Sequence, residues 1–302
     1  MSKKKIELSV VIPVFNSSYN LFKLVKEIYT ISSLKKIEKE IILVNDFSNI
    51  QTQTLLSKIK KKYKKIKIIN LKKNSGQHYS TLVGIHYSKG KFIATLDDDL
   101  EHSPKSIHKM INYLKKYNFD VVFENNTLKK NFFRNFSSKI NQYLIKKVFN
   151  LKNNLITSSY RLIKREFAKK LLNQYYYNPN ISCMILDETH NVGNLIVDYK
   201  TAKTKSRYSI KKLLSLNRVV IFDYSNWVFK FILKLLIFSC FLATIFGIFT
   251  FYENINKSTI LPGWTSTILL IVFFSVIIII SQFVLISYFG RAINKKRFKK
   301  FN

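Results

Sequence analysis

Cysteine is nearly absent from this 302-residue chain. The two that occur, Cys183 and Cys240, offer no disulfide framework, which excludes a stapled secreted scaffold and agrees with a reducing compartment. Glycine is scarce too, with seven residues, and Gly76 and Gly84 alone make no dinucleotide fingerprint. No Ser-His-Asp set, zinc-ligand spacing or Walker loop is apparent. His78, His86, His102 and His108 show no ligand spacing, so solvated or capping roles are expected of them rather than metal binding. Acidic residues number 17 against 51 basic ones, a formal charge of +34 that invites a nucleic-acid reading. The lysines are spread over most of the chain, so no nucleic-acid partner is expected. Such charge also suits an anionic membrane leaflet, at about 1 kcal/mol per basic residue near the surface. Only seven of the 51 basic residues are Arg. In a chain that uses Lys by default, an Arg points to a need for the planar five-donor fork. Arg134, Arg161 and Arg207 are therefore the basic residues to watch.

Charge itself is missing from Leu235 to Tyr252 and again from about Thr265 to Phe289. Each run has roughly the ~20 residues that a bilayer-spanning helix requires. Both lie far from the N-terminus, so neither reads as a signal peptide. Lys211, Lys212, Arg218, Lys230 and Lys234 precede the first run. Arg291, Lys295, Lys296, Arg297, Lys299 and Lys300 follow the second, whereas the loop between them has only Lys257 and Glu253 as charged residues. The positive-inside rule then places both termini in the cytosol and the loop outside. Ser209 to Trp227 mixes Ile, Leu, Val and Phe with Lys211, Lys212 and Arg218, which suits a helix lying in the membrane interface.

What the chain does have is an acidic cluster, Asp97-Asp98-Asp99, closely followed by Glu101, behind the strand-like run Phe92-Ile93-Ala94. Carboxylates this close repel unless a cation holds them. Hard oxygen donors without a Cys or imidazole cage favour Mg²⁺ or Mn²⁺, shared with a phosphate. Ahead of the cluster, strands and helices alternate. Strands are expected at Leu8–Val14, Glu40–Val44, Ile66–Leu71, Lys91–Leu96 and Asp120–Phe123. Helices are expected at Asn20–Ser33, Thr52–Tyr63, His78–Ser88 and, with Pro104 at its first position, through Lys116. Asn131–Phe149 reads as an amphipathic helix, and Ser158–Ile163 as a strand followed by a helix from Arg165. This order implies an α/β fold with a mostly parallel, doubly wound sheet, in which ligands bind beyond the carboxyl ends of the strands. Asn16-Ser17-Ser18, Asn45-Asp46, Asn74-Ser75-Gly76-Gln77 and the three aspartates all fall there.

The blocks SVVIPVFN (9–16), ILVNDFS (42–48), NSGQHYSTLVGIHYSKG (74–90), TLDDDLEHSP (95–104), SSYRLIKRE (158–166) and SRYSIKKLL (206–214) stand in one order. Together they resemble family-2 glycosyltransferases with a GT-A (Rossmann-like) fold. More narrowly they resemble the polyprenyl-phosphate sugar transferases: dolichol-phosphate mannose synthases and bacterial undecaprenyl-phosphate glucosyl- and aminoarabinosyltransferases. The terminal GWTS…GRAINKKR resembles the membrane hairpin of the bacterial members. The resemblance covers nearly the whole chain. It implies a GT-A domain over 1–205, an interfacial amphipathic region over 206–228, and two transmembrane helices, about 232–252 and 265–289, with a basic tail over 229–302.

The resemblance also implies roles. Pro13, Phe15 and Asn16 would line the nucleotide-base pocket, and Asp46 would contact base or ribose. Asn74, Gly76 and Gln77 would form a loop near nucleotide and sugar. Asp97, Asp98 and Asp99 would meet the nucleotide sugar, with Asp97, Asp99 and Glu101 as metal ligands, Glu101 standing where the family usually has Gln. Arg134 and Arg161 match arginines that approach the lipid phosphate, and Arg207 stands where Lys or Arg is usual before Tyr. Asp99, Arg134, Arg161 and Arg207 are thus the catalytic candidates. Asn45 and Phe47 replace an acidic residue and a Gly of the family pattern, and Ser17 and Ser18 stand where acidic residues are common. Thr201–Tyr208 lacks the leading Arg and the Gly of the corresponding pattern. Asp187-Glu188 is expected on a helix surface.

The implied activity is metal-dependent, inverting transfer of a sugar from a nucleotide donor to a polyprenyl (undecaprenyl) phosphate. It would occur at the cytosolic face of the inner membrane and serve cell-envelope glycans. The chemistry agrees with the residues. A departing nucleoside diphosphate needs a divalent cation. A lipid monophosphate, with a second pKa of ~6, is already a nucleophile at pH 7. A different membrane acceptor, or a membrane-anchored binding protein of the same fold without activity, remain alternatives, and self-association is left open.

Overall fold

The computed structural model describes residues 5–126, 132–151, 155–173, 179–197 and 263–294, with isolated positions between 220 and 252. It divides into two compact units, 1–217 and 218–302.

The first unit is built on a seven-stranded sheet. Its strands are β1 Leu8–Val14, β2 Lys39–Asn45, β3 Ile66–Asn70, β4 Phe92–Thr95, β5 Val121–Asn126, β6 Arg161–Lys164 and β7 Val192–Val197. They lie in the order β3-β2-β1-β4-β6-β5-β7. All seven residues of β1 are buried, as a central strand covered on both faces requires. The helices are α1 Asn20–Thr30, α2 Ser32–Lys35, α3 Ile50–Lys62, α4 Gln77–Tyr87, α5 Ser106–Tyr117, α6 Phe132–Val148, α7 Arg165–Leu172 and α8 Ile181–Glu188. α1 buries Leu21, Leu24, Val25 and Ile28, and α5 buries Ile107, Met110, Ile111 and Leu114. Both sets follow the helical period and join the β1, β2 and β4 side chains in one core. α4 lies close over β1: a Cβ on Gly84 would stand 2.2 Å from Val11 Cγ1.

β1, β2, β3 and β4 pair in parallel, and so do β5 and β7. β6 runs antiparallel to both β4 and β5. That reversal decides what the site contains. In the β4–β6 ladder Thr95 faces Arg161, so the first residue of β6 sits beside the carboxyl end of β4. A parallel β6 would have carried Arg161 to the opposite edge of the sheet.

The expected elements are found with boundary shifts of a residue or two, except that β5 runs three residues past Phe123 to Asn126, and as follows. The expected helix over 20–33 is broken after Thr30, and α2 restarts at Ser32. Pro104 is not the first residue of α5; it lies in the preceding turn, where Ser106 N–H donates to Ser103 O and Ile107 N–H to Pro104 O. The strand expected over 158–163 begins only at Arg161.

In the second unit a helix, α9, spans Trp264–Asn294, 31 residues. Among the described residues no helix is long and apolar enough to cross a membrane. About half of the first expected span, most of the interfacial stretch, Arg207 and the Thr201–Tyr208 segment lie outside the described residues.

Candidate active site

The carboxyl ends of β1, β2, β3 and β4 lie along one edge of the sheet, and their loops are tied together by polar side chains. Asp46, directly after β2, is almost fully buried. Its two carboxylate oxygens accept from Ser75 N–H at 2.7 Å and Gly76 N–H at 2.9 Å. Gly76 has a φ of 87°, a backbone region that a Cβ disfavours, and this sharp turn presents both amides to one carboxylate. Asn45, also buried, donates from Nδ2 to Asn70 Oδ1 at 2.9 Å and accepts at Oδ1 from Ser48 N–H at 3.0 Å. It thus uses a donor and an acceptor at once, which an ionised carboxylate cannot do. Asn16 N–H donates to Ser48 Oγ at 3.2 Å, and Asn16 Oδ1 accepts from Asn49 N–H at 3.0 Å. Pro13 is buried within β1, whereas Phe15 and Asn16 are exposed beyond it. Asn74 is exposed in the loop after β3.

The acidic segment follows β4. Asp97 accepts from Gln77 Nε2 at 2.6 Å through one oxygen and from Ser159 Oγ at 2.7 Å through the other. Residues from the start of α4 and the entry to β6 therefore fix its orientation. Asp98 accepts from Ser17 Oγ. Asp99 Oδ1 accepts from Glu101 N–H at 2.9 Å. Burial, and then the neighbouring Asp97 charge, push the Asp99 carboxyl up to about 6, against the Glu101 amide, which favours its ionised form.

Arg161 is 2% exposed. Its Nε donates to Ser159 O at 3.2 Å, its guanidinium carbon lies 5.8 Å from the centre of the Phe123 ring, and Nη1 is buried without a partner. Burial lowers its pKa to about 10, with the charge of Asp97 acting the other way, so it is a cation at neutral pH. A buried guanidinium with an open donor costs free energy unless an anion occupies that side. Behind the acidic segment, His102 Nδ1 lies 2.7 Å from the fully buried carboxylate of Glu124, and its ring meets Tyr160 edge-on. The Tyr160 hydroxyl donates to Ser103 O at 3.1 Å and accepts from Ser106 Oγ at 2.9 Å.

The structure therefore gathers Asp46, Gly76, Gln77, Asp97, Asp98, Asp99 and Arg161 along one edge. Among the described residues, no three His, Cys, Asp or Glu side chains form a ready metal cage, so Glu101 is not drawn into a closed set with Asp97 and Asp99. The two aspartates still fit a divalent cation. They offer hard oxygens, and the repulsion that raises Asp99 is what a cation would relieve. Arg134 lies on α6, but its side chain and all of Arg207 lie outside the described residues. Asp187 and Glu188 are exposed at the end of α8, as expected. His102 departs from the solvated or capping role expected of it, because Glu124 is paired with it from β5. Ser159 and Glu124 are the polar partners that sequence reasoning missed; Ser17 is expected at the strand ends but not as the residue that holds Asp98. Each lies in a different element from the group it holds, and no local pattern marks it.

Residues 9–172, more than half of the chain, match the family model described as Glycosyl transferase family 2. An uncharacterized glycosyltransferase of Synechocystis sp. is 26% identical, over 95% of this chain and 91% of its own. The undecaprenyl-phosphate 4-deoxy-4-formamido-L-arabinose transferase of Pectobacterium atrosepticum is 30% identical, over 69% of this chain and 64% of its own. The fold is shared with glucosyl-3-phosphoglycerate synthase from Mycobacterium tuberculosis, solved with Mn²⁺ and uridine diphosphate. That match has a TM-score of 0.51 and 14% identity, over 72% of this chain and 77% of that one.

Proposed function

Because the chain belongs to glycosyl transferase family 2 and is a glycosyltransferase, we propose that it moves a sugar from a nucleotide donor to a polyprenyl phosphate, with inversion and with a divalent metal. The carrying observation is that Asp97 lies beside both Asp99 and Arg161, whose Nη1 is buried and open. A carboxylate pair beside an unsatisfied guanidinium suits a reaction that holds one phosphate group through a cation and a second through hydrogen bonds. The polyprenyl phosphate acceptor is also what the Pectobacterium relative's name gives for that protein.

Bound at Asp97 and Asp99, with Glu101 nearby, Mg²⁺ or Mn²⁺ would neutralise the charge that develops on the leaving diphosphate. The chain's own groups do the positioning. Gln77 and Ser159 hold Asp97, and Asp46 holds the Ser75–Gly76 turn against which the nucleotide lies. Asp98 stands by the donor. Pro13, Phe15, Asn16 and Asn74 complete the donor side. Arg161, with Arg134 and Arg207, holds the acceptor phosphate, and charge-assisted paired bonds suit that task. The dianionic acceptor oxygen attacks the anomeric carbon, the bond from that carbon to the diphosphate breaks, and the nucleoside diphosphate leaves. No general base is required, since the acceptor is already ionised.

In this reading the apolar runs at about 232–252 and 265–289 form a hairpin in the cell membrane, with the interfacial stretch 206–228 before it. The transferase unit and both termini face the cytosol, and the product feeds cell-envelope glycans. The lysine asymmetry around the runs supports this topology. The test is a donor screen with detergent-solubilised protein, Mn²⁺ and undecaprenyl phosphate, read as nucleoside diphosphate release. Release that requires the lipid phosphate supports the proposal. Release that is indifferent to the lipid rules out this acceptor, and no release with any donor argues for a binding protein without activity.

A further inference from the structure

Six non-glycine residues of the described chain have a left-handed backbone: Asn16, Phe47, Lys65, Leu100, Asn118 and Asn150. Three are Asn, the residue that tolerates this region best after glycine. Of the others, Leu100 packs against the core and Lys65 is ion-paired with Glu38. Phe47 does neither. It has a φ of 57° and is 63% exposed. A bulky apolar side chain is thus held in water on a backbone that glycine would adopt without strain. Strained conformations of this kind persist where the surroundings over-determine them, and they gather at ligand sites.

The surroundings of Phe47 are fixed on both sides. Asp46 before it clamps the amides of Ser75 and Gly76 in the loop after β3. Ser48 after it accepts from Asn16 N–H in the loop after β1 and donates to Val14 O at 3.3 Å. Asn49 donates to Asn16 Oδ1 and caps α3 through Thr52 N–H. Three loops are therefore stitched together around one residue, and its ring is the part left in solvent. Phe15, 45% exposed, directly follows the neighbouring strand; Val14 pairs with Asn45 across β1 and β2.

The position also fits a ligand's length. Asp97 and Asp99 follow β4, and Phe47 follows β2, with β1 between them. Two strand spacings are about 10 Å, roughly the distance from the diphosphate to the far side of the base in a nucleoside diphosphate. With the diphosphate at the aspartates, the base reaches the corner that Phe47 occupies. We infer that Phe47 is a donor-recognition residue whose ring stacks on the nucleobase, and that its strained, exposed placement is retained for this contact. This inference rests on the transferase reading and adds to it a residue that decides how tightly the nucleotide is held. A membrane contact by the same ring is the competing occupant. It is disfavoured because the residue is locked between Asp46 and Ser48 at the nucleotide end rather than carried on a free loop.

The test is calorimetric titration of the full-length protein in detergent with Mn²⁺ and, separately, UDP, GDP, ADP and CDP, together with thermal unfolding. Phe47→Gly removes ring and strain together. The expected result is a raised Tm and an affinity about 10-fold weaker for the nucleotide that wild type binds, in line with the loss of one base–aromatic stack. Phe47→Tyr keeps wild-type affinity, and Phe47→Leu loses it as Gly does. A residue that merely shaped the loop would show lower Tm and lower affinity together. Unchanged affinity in Phe47→Gly overturns the inference. So does loss of binding to phosphatidylglycerol vesicles with nucleotide affinity intact. If wild type itself binds none of the four, the inference and the transferase reading fall together, whereas binding by wild type with no effect at Phe47 removes the inference alone.

Discussion

Asp99→Asn separates what the Asp99 carboxylate costs the fold from what it contributes to the reaction. Burial and the Asp97 charge raise this carboxyl from 3.8 to about 6 in the folded chain. The folded pKa lies above the unfolded value. Between pH 3.8 and about 6 the native state therefore keeps a proton that the unfolded chain has lost, and stability falls as pH rises through that window. A difference of about two units corresponds to about 3 kcal/mol, present as a penalty at pH 7 and absent below the unfolded pKa. Asn carries no charge, so in EDTA the variant is expected to be more stable than wild type at pH 7 by that order. The advantage should shrink towards zero near pH 4. Denaturant titrations of both proteins at pH 4, 5, 6 and 7 read this directly. Adding Mn²⁺ at pH 7 should stabilise wild type and leave the variant little changed, because the cation relieves the repulsion that Asn has already removed. Transfer activity should fall at least ~10²-fold in the variant, the scale of losing a key electrostatic group. A stability difference that stays flat from pH 4 to 7 would refute the argument that Asp99 is held ionised against its surroundings.

Arg161→Lys keeps the charge but loses the fork. Transfer to the lipid phosphate should weaken by ~10-fold or more, about 1.4 kcal/mol, with donor affinity nearly unchanged; equal loss in both would contradict an acceptor role. Gly84→Ala places a methyl 2.2 Å from Val11 Cγ1 and should cost ~1–3 kcal/mol of stability by overpacking, measured by urea unfolding; a neutral result would mean that α4 does not lie this close to β1. Cysteines placed at Asn256 and at Asn302 should react with impermeant reagents from opposite sides of the membrane, and reaction from the same side would sink the two-span topology.

The strands and helices of the first half were legible because apolar runs there are long and periodic. Val10, Val11, Ile12, Ile41, Ile42 and Leu43 are buried on both faces of a parallel sheet, and such strands read as continuous hydrophobic runs. β7 was not anticipated. Gly193 and Asn194 interrupt it, and the glycine is there because a Cβ would stand 2.5 Å from the Phe119 ring, a contact between distant segments. The reversed direction of β6 was not legible either, since a four-residue strand carries no mark of its orientation. Yet that reversal brings Arg161 beside Asp97. Candidate site residues were found through motif positions at strand ends, whereas Ser159 and Glu124 bond to Asp97 and His102 across 62 and 22 residues of sequence, beyond any local pattern.

The central claim is that the sugar is delivered to a lipid phosphate at the site of Asp97, Asp99 and Arg161. Its most direct test is mass spectrometry of the organic extract after incubating the purified protein with undecaprenyl phosphate, Mn²⁺ and the donor found by screening. The account predicts a lipid whose mass has grown by one glycosyl residue on a single phosphate. That product should be absent with EDTA and strongly reduced in Asp99→Asn. An unmodified lipid despite donor turnover, or a product carrying two phosphates, would contradict it.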